Sequence, residues 1–142
     1  MALNILQAHK QVFLDLLDAD NVPPALVVLD GLVPAGQTPP YALLYLAFRT
    51  PSGVDEPEKV SLEAASDVLY ATATCHWVGG DAHASLAVAG RGRAALNGVT
   101  PAIAGRVCGR IGQVDGAPTN RDETTGVAVF DTVDVWQFFS LP

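Results

Sequence analysis

Hydrophobic spacing divides the first half of the chain into one helix and two strands. Apolar residues recur at helical spacing between Ile5 and Leu17, with Asn4 placed as an N-cap, which predicts a first helix. A short apolar run at 25–29 ends at a turn dipeptide, and a longer run at 41–48 follows a loop rich in proline and glycine. These runs predict two strands, of which the second is largely buried.

The second half begins with a strictly alternating segment from Asp67 to Val78, which predicts a third strand. An alanine-rich segment from Asp81, a plausible N-cap, to the stop at Asn97-Gly98 predicts a second helix. Arg106 to Val114 and Thr125 to Phe139 predict two more strands, paired as a hairpin across a turn-rich connection.

The resulting order is α-β-β-β-α-β-β. It predicts an α+β fold, in which two helices pack on one face of a largely antiparallel sheet. A chain of 142 residues is expected to form a single domain over 1–142.

Composition adds a prediction about assembly. Charged residues make up 16 % of the chain and hydrophobic residues 49 %, with a mean hydropathy of +0.27. Because about 25 % charged residues is usual, part of the surface is expected to be covered by other protein. No run of about 18 apolar residues and no signal-like start occurs, so no membrane segment is predicted.

The net charge of −7 argues against nucleic-acid binding through general electrostatics, because phosphate would repel this chain. A long polar connection at about 50–66 contains four acidic residues, Asp55, Glu56, Glu58 and Glu63, around a single lysine. A connection of that length in a compact domain is usually functional or disordered.

Several motifs were tested for chemistry, and none predicts a catalytic, cofactor or metal site. Residues 90–95 match the pattern G-x-G-x-x-A, but they do not open a helix after a strand, so tight helix packing is the better interpretation. Cys75 and His76 are adjacent in a strand and point to opposite faces, which argues against a shared zinc ion. Cys75 and Cys108 are expected to be buried, reduced thiols.

Four arginines form the strongest charge feature: Arg91, Arg93, Arg106 and Arg110, with no acidic residue between Asp81 and Asp115. One interpretation is a positive stripe that contacts acidic surface on a neighbouring copy or partner; the other is a solvated helix face and strand end. The acidic connection containing Asp55, Glu56 and Glu58 is the natural complement, as a head-to-tail ring interface requires.

The chain resembles the tail terminator (tail completion) proteins of long-tailed bacteriophages, the lambda-type minor tail proteins. The resemblance covers most of the chain and rests on a succession of elements. They are the amphipathic first helix, the strand Val27-Val28-Leu29-Asp30-Gly31, the opening Pro39-Pro40-Tyr41, the strand end Cys75-His76-Trp77, the helix end Arg93-Ala94-Ala95-Leu96, and the final alternating strand.

This resemblance implies a non-enzymatic virion protein that forms a ring, usually a hexamer, on the head-proximal end of the tail tube. Such a ring stops tube polymerisation and provides the attachment surface for the head connector, while DNA only passes through its lumen. Assembly would take place in the host cytoplasm, and no cofactor is implied.

Two alternatives remain open at this point. Another head-to-tail joining or neck protein would share the composition and the ring assembly. A small cytosolic ligand-binding or enzymatic α+β domain would instead require a concave pocket with convergent polar groups.

Overall fold

The computed structural model describes residues 4–20, 23–50, 68–123 and 126–142. Two helices and six strands follow one another along the chain. They are α1 (Ile5–Asp18), β1 (Val28–Asp30), β2 (Tyr41–Arg49), β3 (Leu69–Gly79), α2 (Ala82–Leu96), β4 (Val107–Cys108), β5 (Gly112–Asp122) and β6 (Val129–Leu141).

Both helices begin where their capping residues predict. Asn4 and Gln7 form a reciprocal capping box at the start of α1, each side chain bonding to the backbone N–H of the other. Asp81 accepts a hydrogen bond from the Ala84 N–H at 2.7 Å and caps α2, which ends at Asn97. Neither helix in the described part of the chain is long and apolar enough to cross a membrane.

The six strands form one mixed sheet in the order β1-β2-β3-β6-β4, and β5 also pairs with β6. Strand β1 runs parallel to β2, whereas all other pairings are antiparallel. The predicted α+β class, with helices against a largely antiparallel sheet, is therefore confirmed.

Local differences from the predicted elements concentrate at the sheet edges. The predicted turn at 115–123 belongs almost entirely to β5, and the short strand β4 precedes β5. Gly116 and Pro118 resemble turn residues, but an edge strand tolerates them because its outer side needs no partner. Two register shifts between β5 and β6 absorb the irregularity. At the other edge, β1 begins three residues later than predicted.

The main core lies between the helices and one face of the sheet. Its largest fully buried side chains include Phe13, Leu17, Leu44, Trp77, Leu96, Trp136 and Phe138. Gly92 lies directly against the Trp77 ring, where an added Cβ would overlap it, so the predicted tight helix packing is confirmed at this glycine. Gly90 on the same helix faces open space, and the packing interpretation is wrong there.

The opposite face of the sheet, called here the outer face, is only partly covered. A second, smaller apolar cluster forms there around Tyr41, Leu43 and Val78. The loop between β1 and β2 lies against this end of the sheet and forms one wall of a concavity.

Candidate functional site

Arg93 neutralises a buried carboxylate on the core side of the sheet. Its Nε and one terminal nitrogen donate to the two oxygens of Asp134 at 2.8 and 2.9 Å. Trp77 Nε1 and Gln113 Nε2 donate to the same carboxylate at 2.9 and 3.2 Å. Burial raises the pKa of Asp134, but the hydrogen bonds from Arg93 and Trp77 outweigh burial and hold the pKa below its ordinary value.

Arg91, also on α2, binds the segment that follows α1. Its Nε donates to Asp20 Oδ2 at 2.6 Å and a terminal nitrogen donates to the Pro24 carbonyl at 2.9 Å. This contact joins α2 to the connection between α1 and β1, over 67 and 71 residues of sequence.

Arg106 belongs to a buried relay that ends on α1. Its Nε donates to Ser140 Oγ at 2.7 Å, and Ser140 Oγ lies 2.7 Å from His9 Nε2. His9 Nδ1 lies 2.6 Å from the Ile5 carbonyl, which can only accept, so Nδ1 carries the proton and Nε2 of the neutral ring accepts from Ser140. Burial lowers the pKa of His9, and the nearby positive charge of Arg106 lowers it further.

Arg110 differs from these three arginines. Its side chain is exposed, and no hydrogen bond or ion pair joins it to any other described residue. Asp55, Glu56 and Glu58, its predicted acidic complement, lie outside the described residues. The role of all seven residues as subunit or partner contacts therefore stays a prediction, while the three arginines at 91, 93 and 106 also stabilise the fold.

The concavity on the outer face has a volume of about 700 Å³. Residues 33–39 of the β1–β2 loop form one wall, and the ends of three neighbouring strands form the floor. Most of the lining is apolar, including Tyr41, Leu43, Val78 and Val129. Two carboxylates, Asp122 and Asp131, bring negative charge into it.

The floor of the concavity contains a hydrogen-bonded pair in which one carboxylate oxygen has no partner among the described residues. His76 Nδ1 donates to Asp131 Oδ2 at 2.7 Å, and Tyr45 packs edge-on against the His76 ring. The other oxygen, Asp131 Oδ1, is buried and has no hydrogen-bond partner in the described part of the chain. Burial raises the pKa of Tyr41, and the nearby charges of Asp131 and Asp122 raise it further.

The structure shows the surroundings of the glycine-rich segment at 90–95 and of the cysteine and histidine residues that were considered as chemical motifs. Residues 90–95 lie inside the second half of α2, so no helix N-terminus is present there to receive a phosphate. Cys75 faces the core and His76 faces outward, as strand geometry predicts. Cys75 is buried and free, as predicted, whereas the free Cys108 is only half-buried. Within the residues described, no three His, Cys, Asp or Glu side chains gather as a metal site would require.

The sequence pattern did not single out the carboxylates of Asp131 and Asp134. Asp134 stands between apolar residues on the inward face of β6, a signal that a buried charge needs a partner. For Asp131 the sequence contains no comparable signal. Its partner His76 lies on another strand, and the concavity forms only when segments that are distant in sequence come together in the fold.

Comparison with known proteins bears on the fold. No protein-family model matches the chain, and no curated protein matches it. Among solved structures, the fold is similar to that of a chain from the virion of a native gene transfer agent particle, with a TM-score of 0.73. The match covers 99 % of this chain and 100 % of that chain at 15 % sequence identity, so the two chains share their fold over nearly their whole lengths.

Proposed function

We propose that this chain is a structural virion protein, specifically a tail terminator that assembles as a ring on the end of the tail tube. The observation that carries the proposal is the full-length fold similarity to a chain of a gene transfer agent virion. The independent resemblance of the sequence elements to tail terminator proteins supports the same class. In this role the chain needs no cofactor and no catalytic residue.

The exposed apolar surface supports a role in assembly. Three large apolar side chains are the most exposed in the described part of the chain, and they lie in different regions: Leu32, Val107 and Val127. Side chains of this kind are stabilised when another protein covers them. A subunit between a tube and a head connector would cover several separate surfaces at once.

In the proposed position the ring occupies the head-proximal end of the tail. Its partners are further copies of itself, six in all as the family resemblance implies, then the tail tube protein and the head connector. DNA passes through the lumen without specific binding, which agrees with a subunit charge of −7.

The test is the effect of the purified chain on tube growth. A tail tube protein from the same source is polymerised with and without this chain, and tube lengths and ends are measured by negative-stain electron microscopy. We expect shorter tubes with a ring at one end. Unchanged tube lengths together with binding to the isolated head connector would instead identify a neck protein, and binding to neither would contradict both assignments.

The concavity favours a second candidate, a ligand-binding α+β domain. Its volume of about 700 Å³ lies within the range of about 300–1,000 Å³ for small-molecule sites, and polar groups of His76 and Asp131 converge on its floor. A small-molecule library screened by thermal shift tests this candidate. A ligand that raises the melting temperature of the parent protein, but not of an Asp131→Asn variant, would favour it.

A further inference from the structure

Asp131 presents an acceptor that the chain itself leaves unused. One carboxylate oxygen binds His76, while Oδ1 is buried and accepts no hydrogen bond from the described residues. A buried, unsatisfied carboxylate oxygen is costly, and a donor that reaches it recovers that cost. Although Oδ1 itself is covered, the Asp131 side chain is 23 % exposed and lines the concavity, so a group that enters from outside reaches this carboxylate.

The concavity selects the chemistry of that group. Its walls are mainly apolar, and the carboxylates of Asp122 and Asp131 make it acidic apart from His76. An arginine side chain matches both properties, because its stem is apolar and its guanidinium carries five donors and a delocalised charge. Tyr41 and Tyr45 add aromatic surface on which a guanidinium packs favourably.

Arg110 is the cation available for this contact. Of the seven lysines and arginines that the structure describes, the other six each contact a group of the same chain. These six are Lys10, Arg49, Arg91, Arg93, Arg106 and Arg121. Among these seven, only Arg110 is exposed and contacts no charged, polar or aromatic side chain of the described residues, and the strongly exposed Val107 lies near it in the chain.

Arg110 and Asp131 lie toward opposite ends of β6. The Gly109 N–H bonds to the Phe139 carbonyl, whereas Asp131 pairs with Val78 near the start of the strand. Eight residues of strand separate Phe139 from Asp131, which is about 26 Å at roughly 3.3 Å per residue. The two side chains therefore cannot meet within one molecule. A contact between them joins the C-terminal end of β6 in one copy to the N-terminal end of β6 in the next.

We propose that Arg110 of one copy inserts into the concavity of a second copy and pairs with the Asp131 carboxylate. The contact is heterologous, since each copy contributes a different surface, and repetition by rotation closes a ring. This inference deepens the proposed function, on which its ring geometry rests, by naming the residues that join neighbouring subunits.

The edge strand β5 favours a contact between copies through side chains rather than through pairing of strands. Strand β5 is an outer strand, but its pairing with β6 shifts register twice and it contains Pro118. Both features discourage pairing with a strand of another copy. The insertion of Arg110 needs no free strand edge.

A charge-exchange experiment tests the contact. Arg110→Glu and Asp131→Lys are each expected to raise the dissociation constant for self-association about 30-fold or more, and the double variant is expected to recover much of the loss. Sedimentation equilibrium and native mass spectrometry measure the association, and thermal unfolding checks that each variant is folded. Arg49→Glu is the matched control, because it reverses an exposed charge on β2, which β3 separates from β6, and should leave association unchanged.

Cross-linking tests the head-to-tail arrangement and does not depend on charge. In a Cys108→Ser background, Thr38→Cys on the rim of the concavity and Val107→Cys, an exposed position near the intact Arg110, are combined in one chain and treated with a short bismaleimide. A ladder of products beyond the dimer on denaturing gels is expected. Products that stop at the dimer would show a two-fold contact and overturn the proposal.

The outcomes separate this inference from the proposed function. Association that is unaffected by Arg110→Glu overturns the contact, while ring formation on the tube still stands if tubes are shortened. A parent chain that stays monomeric at all concentrations, or a monomer that binds a basic segment of a different protein, also overturns it. Association that depends on Arg110, without any effect on tubes, retains the contact and rejects the tail terminator function.

Discussion

Two aspartates of strand β6 show how differently the two faces of the sheet use a carboxylate. Asp131 and Asp134 are three residues apart and therefore face opposite sides. Asp134 is fully buried on the core side and accepts four hydrogen bonds, two of them from Arg93. Asp131, in the concavity, accepts one from His76 and keeps one buried oxygen without a partner.

The comparison distinguishes a carboxylate that stabilises the fold from one that is available for binding. A buried charge with every acceptor position used contributes to a unique core, but only while all of its partners remain. A half-satisfied carboxylate in a surface concavity contributes little to the fold and gains most when a further donor arrives. Substitutions on the two faces should therefore differ in both size and kind.

The largest effect is expected from Arg93→Met, which removes the charged partner of Asp134. The free energy of unfolding should fall by about 3 kcal/mol, because a buried carboxylate is left with only neutral donors. Urea titration at neutral pH measures the change. Arg110→Met is the control, and its exposed side chain predicts a change within about 0.5 kcal/mol; equal losses in the two variants would contradict the distinction.

The same pair predicts acid sensitivity. The pKa of Asp134 is lower in the folded state than its ordinary value of 3.8, so the unfolded chain binds the proton more readily. The stabilisation is complete above the ordinary pKa and is lost as pH falls through the lower folded value. Arg93→Met should flatten this part of the profile of stability against pH.

The next largest effect concerns the packing of α2 on the core face. Gly92→Ala places a methyl group into the Trp77 ring and should destabilise the protein by about 2 kcal/mol. Gly90→Ala, in open space on the same helix, should instead stabilise it by up to about 1 kcal/mol through helix propensity. Thermal unfolding of both variants checks the signs, and a stabilising Gly92→Ala would show that the helix can move away from the sheet.

A smaller effect should appear as a pH dependence of the His9 relay. Because the pKa of His9 is lowered in the fold, its contribution to stability is present above its ordinary pKa of 6.5 and is lost as pH falls below it. His9→Phe preserves stacking on Phe138 but binds no proton, so it should flatten the profile between pH 7 and 5. It should also cost about 1 kcal/mol at pH 7, since Ser140 loses an acceptor. Chemical denaturation at several pH values measures both, and parallel profiles of the parent and the variant would contradict the lowered pKa of His9.

The smallest effect on the fold is expected from Asp131→Asn. The amide oxygen can still accept a hydrogen bond from His76, and the side chain is partly exposed. The free energy of unfolding should therefore change by no more than about 0.5 kcal/mol. Self-association should nevertheless weaken, because the charge opposite Arg110 is gone. Urea unfolding and sedimentation equilibrium on the same preparation separate the effect on stability from the effect on self-association. A loss of stability as large as that of Arg93→Met would contradict the difference between the two faces.

Local elements and their faces were largely predictable from the sequence. The capping residues Asn4 and Asp81 and the alternation of β3 specify where the helices begin and which side chains face the core, because these signals act over a few residues. The edge strand β5 was mispredicted, because its glycine and proline are typical of turns and only its position at the sheet edge makes them acceptable in a strand.

The candidate site was less predictable, because proximity in sequence and proximity in the fold diverged. Arg91 and Arg93 are two residues apart, yet one contacts Asp20 and the other contacts Asp134. The four arginines that form one positive segment in the sequence are thus distributed among a loop, the core and the surface.

The sequence by itself determined the α+β class, the helix caps and the inward and outward positions of the strands, since period and capping depend on neighbouring residues. Only the tertiary structure decided which charged side chains are paired within the molecule and which remain available to a partner. The physical reason is that the satisfaction of a buried charge depends on donors brought together from distant segments, as Arg93 and Asp134 are and as Asp131 Oδ1 is not.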